Sequence, residues 1–183
     1  LMDPSKSILL IDPILELAQN EVGSFSFSLT TSHVAYEQIV QSSRITVFKD
    51  EDAIFYGRVS SIETDFYKTK TITADGELSY LADSIQRPAE YHNQSIRGFI
   101  QTLLNNHNEQ CEEKFDLGVV NISDPNDSLY RYSNYESSLF CLLDKVIGRL
   151  GGMIAIRHQD GHRYLDILND YPRACRQMIR FKE

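Results

Sequence analysis

Two histidines, His158 and His162, stand four residues apart, a spacing that puts two imidazoles on one helix face and suits a metal ion. The intervening Gln159-Asp160-Gly161 reads as a turn, so the helical geometry fails, and no third ligand is evident. His107 closes an apolar helix inside Asn105-Asn106-His107-Asn108, where such side chains satisfy helix-end carbonyls and the turn that follows. A Cys–His peptidase needs a thiolate beside an imidazole that a third group orients. Cys141 falls next to an apolar helical stripe, which suits burial more than reactivity. Cys111 is near His107 in sequence, but on an acidic stretch that raises a thiol pKa. There is no Gly-x-Ser-x-Gly elbow and no Gly-rich phosphate loop. The sequence therefore assigns no catalytic, cofactor-binding or metal-ligating residue.

Aromatic residues are the other chemical resource, with ten Tyr and nine Phe. The strand and helix periods place most Phe inside. Tyr91 and Tyr130-Arg131-Tyr132 are the candidates for an exposed surface, either a protein interface or a sugar-stacking platform.

Composition narrows the class. The 183 residues are 42% hydrophobic, enough for a packed core in one or two domains. No run of about 18 apolar residues is present, so no membrane span is expected. The apolar stretch from Ser7 to Leu10 ends at Asp12-Pro13 and lacks the basic start of a signal peptide. The opening Leu1-Met2-Asp3 reads as a tag remnant. Net charge is −8, with 7 basic and 13 acidic residues in 1–88 and 11 and 13 in 89–183. Such a surface repels phosphate backbones, which argues against specific nucleic-acid binding. Cys111, Cys141 and Cys175 have no CxxC spacing and read as reduced thiols of a protein made in a reducing cytoplasm. The sequons at Asn93, Asn121 and Asn126 carry meaning only in a secreted eukaryotic chain.

The elements that hold these residues fall into two halves. Ile14–Leu17 approaches a turn, and then Phe25, Phe27 and Leu29 alternate with Ser and Thr in a half-buried strand. Ser32–Gln41 is an irregular or helical link. Strands follow at Arg44–Lys49, Ala53–Tyr67 and Lys68–Asp75, the first two joined at Asp50-Glu51-Asp52. Tight turns between short strands predict an antiparallel sheet closed into a barrel over residues 1–88. Gly57, inside a strand, marks a bulge or a close backbone approach.

Residues 89–183 predict a smaller α+β domain with two helices against a small sheet. Gln94–His107 carries an apolar stripe at Ile96, Phe99, Ile100, Leu103 and Leu104, with Asn93 or Ser95 as its cap. A second helix is expected from Asn134 to Leu150, with a Ser133/Glu136 capping box. Tyr135, Leu139, Leu142, Leu143, Val146, Ile147 and Leu150 make its buried face, and Gly151-Gly152 ends it. Met153–Arg157 and Arg163–Leu168 form a hairpin around Asp160-Gly161.

One ordered set of blocks carries a resemblance. Ile54-Phe55-Tyr56-Gly57-Arg58-Val59 precedes Asp75-Gly76-Glu77-Leu78-Ser79-Tyr80-Leu81-Ala82-Asp83 and Pro88. The Asn105–Gln110 cluster, Phe115-Asp116-Leu117-Gly118-Val119-Val120, Ser123-Asp124-Pro125, Leu150-Gly151-Gly152 and Tyr164-Leu165-Asp166 follow in order. The chain resembles, over roughly residues 12–170, the N-terminal region of siphophage and prophage tail-tip proteins, the prophage endopeptidase-tail or minor structural family. Tyr171–Arg176 fits that pattern less well.

Members of the family are similar to the baseplate hub of contractile-tailed phages. The resemblance implies a structural, non-enzymatic protein of the virion tail tip, assembled in the host cytoplasm. It implies a hub barrel like a tail-tube subunit, and a homotrimeric ring of the intact protein below the tail tube. It further implies contacts to the distal tail protein and to the tail tube or tape-measure end, with no cofactor. A second barrel and C-terminal cell-wall modules belong to the intact family proteins, so this chain is expected to be a part of one. The alternatives are a peptidoglycan endopeptidase domain or a cell-wall carbohydrate-binding module.

Overall fold

The computed structural model describes residues 10–126 and 130–170. Cys175, the Tyr171–Arg176 segment, the Leu1-Met2-Asp3 start and all of the Ser7–Leu10 stretch except Leu10 lie outside the described residues. The chain divides into two compact units. The first is Leu1–Ile85 with Ser137–Leu139, and the second is Gln86–Glu136 with Phe140–Glu183.

The first unit is built on strands β1 (Ile11–Glu16), β2 (Ser24–Leu29), β3 (Arg44–Lys49), β4 (Asp52–Thr64) and β5 (Lys70–Gly76). All neighbours are antiparallel, in the order β1-β2-β5-β4-β3. The period of two decides which side chains go inside. Phe25, Phe27 and Leu29 from β2, Ile72 and Ala74 from β5, Phe55 and Val59 from β4, and Ile45 from β3 form one core. Ala35, Tyr36 and Ile39 close it from the link between β2 and β3, which folds as a series of turns.

The expected closed barrel is not what the strand order gives. β1 and β3 are the two edges of an open sheet, and no described strand joins them. Alternation specifies which face is buried, and says nothing about whether the first and last strands meet. The sheet strands are also displaced slightly from expectation: β4 stops at Thr64 and β5 starts at Lys70, leaving 65–69 as the hairpin turn.

After β5 the chain tightens into a 3-10 helix, Glu77–Ala82, whose Leu78, Tyr80 and Leu81 are buried. It leaves the first unit through β6 (Ile85–Gln86). Next come β7 (Ala89–Tyr91), α1 (Ile96–Gln110), β8 (Asp116–Val120), β9 (Arg131–Ser133) and β10 (Glu136–Ser137). Ser95, of the two candidate caps, does the capping: its side chain accepts from the Gly98 backbone N–H at 3.1 Å. The α1 stripe of Ile96, Phe99, Ile100, Leu103 and Leu104 is fully buried, as its spacing predicts.

The second helical stretch differs from expectation. It begins at Ser138, not Asn134, as α2 (Ser138–Leu142), widens into a π turn at Leu143–Ile147, and ends in α3 (Gly148–Leu150). Tyr135 is 72% exposed with φ 55°, so it belongs to no helix face. Glu136 sits in β10 and serves a lysine instead of a helix cap. Gly151 and Gly152 take positive φ and end the helix, as expected.

Strands β11 (Met153–Gln159) and β12 (His162–Leu168) form the predicted hairpin, and β12 pairs in parallel with β8. Asp166 fastens these three strands. Its carboxylate accepts the Val119 N–H at 2.7 Å and the Arg157 Nε–H at 3.1 Å. A Cβ at Gly118 would stand 1.8 Å from that carboxylate, so the arrangement requires glycine there.

Candidate interaction surfaces

The two blocks of the first unit meet at Arg58. Its guanidinium forks onto Asp83, at 2.6 and 2.7 Å, and lies 4.9 Å from the Tyr80 ring centre. This bolts the 3-10 helix to β4. Gly57, the preceding residue, has the close approach that a strand glycine suggests. A Cβ there would fall 2.3 Å from the Asp75 carbonyl oxygen and 2.8 Å from the Phe55 ring. These residues build the fold.

Two exposed features of the same unit have no such role. The β4–β5 hairpin ends in Phe66 and Tyr67, 92% and 84% exposed and packed edge-on at 5.5 Å. Its turn is held firmly. The Asp65 carboxylate accepts the Thr69 N–H at 2.7 Å, and the Asp65 N–H donates to Thr69 O at 3.0 Å. The Tyr36 hydroxyl donates to Lys68 O at 2.6 Å.

At the other end of the sheet, an open groove of 870 Å³ runs along the β1–β2 turn and the end of β5. Leu15, Leu17, Val22 and Leu139 are among its apolar walls, and Glu16, Glu21 and Asp75 are its acids. Ser79 also lines it and carries a buried hydroxyl without a hydrogen-bond partner.

The second unit holds a cleft of 430 Å³ near Asp124, Asn126, Tyr130, Tyr132, Lys145 and Arg149. Its charges are largely answered in place. Arg131 is 8% exposed, pairs with Asp124 and donates to Gln94 O at 2.8 Å, so the central residue of Tyr130-Arg131-Tyr132 is a buried strut. Lys145 is 5% exposed, pairs with Glu136 and donates to Tyr132 O at 2.7 Å. Tyr130 lies 5.0 Å from the His92 ring and 6.0 Å from Tyr132, and the Lys145 ammonium lies 4.3 Å from the Tyr132 ring centre. Tyr91 is half-buried, with Phe99 at 5.2 Å. Tyr130 and Tyr132 nevertheless remain 46% and 44% exposed, as expected of a surface pair, while Arg131 between them is buried.

Burial pushes the Glu136 carboxyl up, but hydrogen bonds from Lys145, the Cys141 thiol and the Asn134 N–H outweigh it and hold the group below the usual carboxylate value. Burial, then the bond to Glu136, pushes the Cys141 thiol up to about 12. A thiol so placed carries almost no thiolate at neutral pH.

The histidines are dispersed. His107 is fully buried, donates from Nε2 to Glu113 O at 2.8 Å and packs against Phe115. Beside it Asn108 both donates to Phe115 O and accepts its N–H, copying a strand partner. His162 pairs with Asp116 at 2.7 Å, while His158 faces Arg163 across the hairpin. Among the described residues no three His, Cys, Asp or Glu side chains gather to hold a metal, and no helix is long and apolar enough to cross a membrane.

No protein-family model matches the chain, and no curated protein sequence does. Solved structures share its fold. A prophage tail protein, gp18, from Listeria monocytogenes EGD-e superposes with a TM-score of 0.55 at 15% identity, over 92% of this chain and 48% of that one. The 43 kDa tail protein of prophage MuSo2 from Shewanella oneidensis gives 0.51 at 18% identity, over 80% and 44%. The E. coli c3393 protein is a type VI secretion component described as similar to the T4 bacteriophage tail proteins gp27 and gp5. It gives 0.54 at 10% identity, over 89% and 49%. The chain thus has the fold of phage-tail-like proteins and spans about half the length of these structures.

Proposed function

We propose that this chain is a structural part of a phage or prophage tail, at the tip, in the position of a baseplate hub. The supporting observation is the open antiparallel sheet of the first unit, found in a fold shared with prophage tail proteins. An unpaired sheet edge is a template for another chain. Here both edges carry exposed apolar side chains, Ile11 and Ile14 on β1 and Phe48 on β3. Copies of the intact protein, three on this reading, continue the sheet around a ring below the tail tube. A barrel then closes between chains, not within one. The distal tail protein and the tube or tape-measure end are the neighbours, and cell-wall-acting modules follow in the intact protein.

The test is the mass of the chain by light scattering after size exclusion, alone and with the distal tail protein. The expected result is a trimer, or capture on the partner ring. A strict monomer at high concentration, with no binding to the distal protein, overturns the reading for this chain. A cell-wall cleavage and binding assay then decides between the endopeptidase and carbohydrate alternatives.

A further inference from the structure

The exposed hairpin tip and the acidic groove are at opposite ends of one sheet. Register places them so: Ser24 pairs with Asp75 beside the groove, and Leu29 pairs with Lys70 beside the tip. β5 spans the interval, seven residues or about 20 Å. Two adjacent aromatic rings, almost fully in water, are costly on a surface that has no use for them, and a pair is more telling than a scattered residue. The turn beneath them is already ordered by Asp65, Thr69 and Tyr36, so docking sacrifices little conformational freedom. Rigid aromatic anchors of this kind dominate protein interfaces.

The groove has matching properties. It is shallow and open to solvent, a docking face and not an enclosed ligand cleft. Its leucines and valine offer apolar walls, and Glu16, Glu21 and Asp75 give it a negative rim. The tip offers the opposite sign at Lys68, next to the two rings, while the turn's one carboxylate, Asp65, is turned back onto the Thr69 N–H. We infer that the Phe66–Tyr67 tip of one copy seats in the Leu17–Glu21 groove of a second copy, head to tail. The two surfaces differ, so the contact is heterologous and repeats from copy to copy until it closes or runs on. It rests on the self-assembling reading above, but edge-paired neighbours hold their tips at one end of the ring, so this contact joins copies end to end along the strand direction and not neighbours within one ring.

The experiment measures self-association of the full chain by sedimentation equilibrium. Phe66→Ala with Tyr67→Ala alters only exposed side chains, so an unchanged circular dichroism melt is the folding control. The expected result is an association constant lowered by at least about tenfold. Lys68→Glu weakens association alone, as does Glu21→Lys alone, and the two variants mixed recover it. Association of the double alanine variant as tight as that of the wild type overturns the contact and leaves the tail reading standing. A failure of the mixed charge variants to recover overturns the pairing of this tip with this groove. A monomeric wild type overturns the contact outright, while capture on the distal tail protein still decides the tail reading separately.

Discussion

Arg58 grips Asp83 with two parallel hydrogen bonds, 2.6 and 2.7 Å, across 25 residues of sequence. The pair joins the middle of a long strand to the end of the 3-10 helix and places the arginine against Tyr80. Both side chains are partly in water, 30% and 40% exposed, so solvent screening keeps the bond modest. Arg58→Ala is expected to lower stability by about 1–2 kcal/mol, lost pair and lost ring contact together. Arg58→Lys recovers less than half, because it cannot fork. Urea denaturation checks both.

Gly57→Ala is expected to cost more, about 3 kcal/mol, at the upper end of core overpacking. The added methyl meets a backbone carbonyl at 2.3 Å and a buried ring at 2.8 Å, neither of which is the free end of a flexible side chain. A thermal melt within error of the wild type would falsify this account of the strand.

Cys141 offers a chemical readout. With its thiol pushed up to about 12 and the side chain fully buried, it is expected to resist iodoacetamide at pH 8 in the folded protein. A chain with Cys111→Ser and Cys175→Ser isolates the signal. Alkylation should proceed only after denaturant is added. Fast labelling of the native chain would show the helix to be open at this point.

Glu136 predicts an acid-sensitive contribution. Its folded pKa lies below the ordinary 4.5. The native state therefore binds this proton less readily than the unfolded chain does. The contribution is complete above about pH 4.5 and fades as pH falls through the folded value. Glu136→Gln should be less stable than wild type at pH 7, and the gap should shrink as pH falls below 4.5. Urea midpoints across that range test it, and a gap constant with pH counts against it.

Lys145 is the other half of that pair. Lys145→Met removes a buried charge but strands Glu136, which is 23% exposed, and leaves Tyr132 O without its donor. The expected loss is about 2–3 kcal/mol. Combining it with Glu136→Gln should cost less than the sum of the single changes, a coupling that a double-mutant cycle measures directly.

Local periodicity made much of the fold legible. Phe25, Phe27 and Leu29 announced a strand, and the stripe from Ile96 to Leu104 announced α1, because burial on one face leaves its period in the sequence. The failures have a common physical origin in distant partners. Ser133 and Glu136 have capping-box spacing, but Lys145, nine residues on, claims the Glu136 carboxylate, and Tyr135 turns left-handed. Sheet closure depends on whether β1 meets β3, and no spacing encodes that. Arg131 reads as a surface residue between two tyrosines, but in the fold Asp124 and Gln94 enclose it. Phe66 and Tyr67 were legible as residues, but only the hairpin around them shows that they point outward.

The first unit is not one stretch of chain. Ser84 is fully buried, and its hydroxyl meets that of Ser138 at 2.5 Å, while the Ser138 N–H donates to Ser84 O at 3.1 Å. On a ribosome, residues 1–85 emerge dozens of codons before Ser138. The two bonds between Ser84 and Ser138 therefore form only after most of the other unit has also been made. A chain that ended near residue 88 would lack both bonds, and a recombination that exchanges an internal segment would keep this unit whole when both crossover points fall between Ile85 and Ser137.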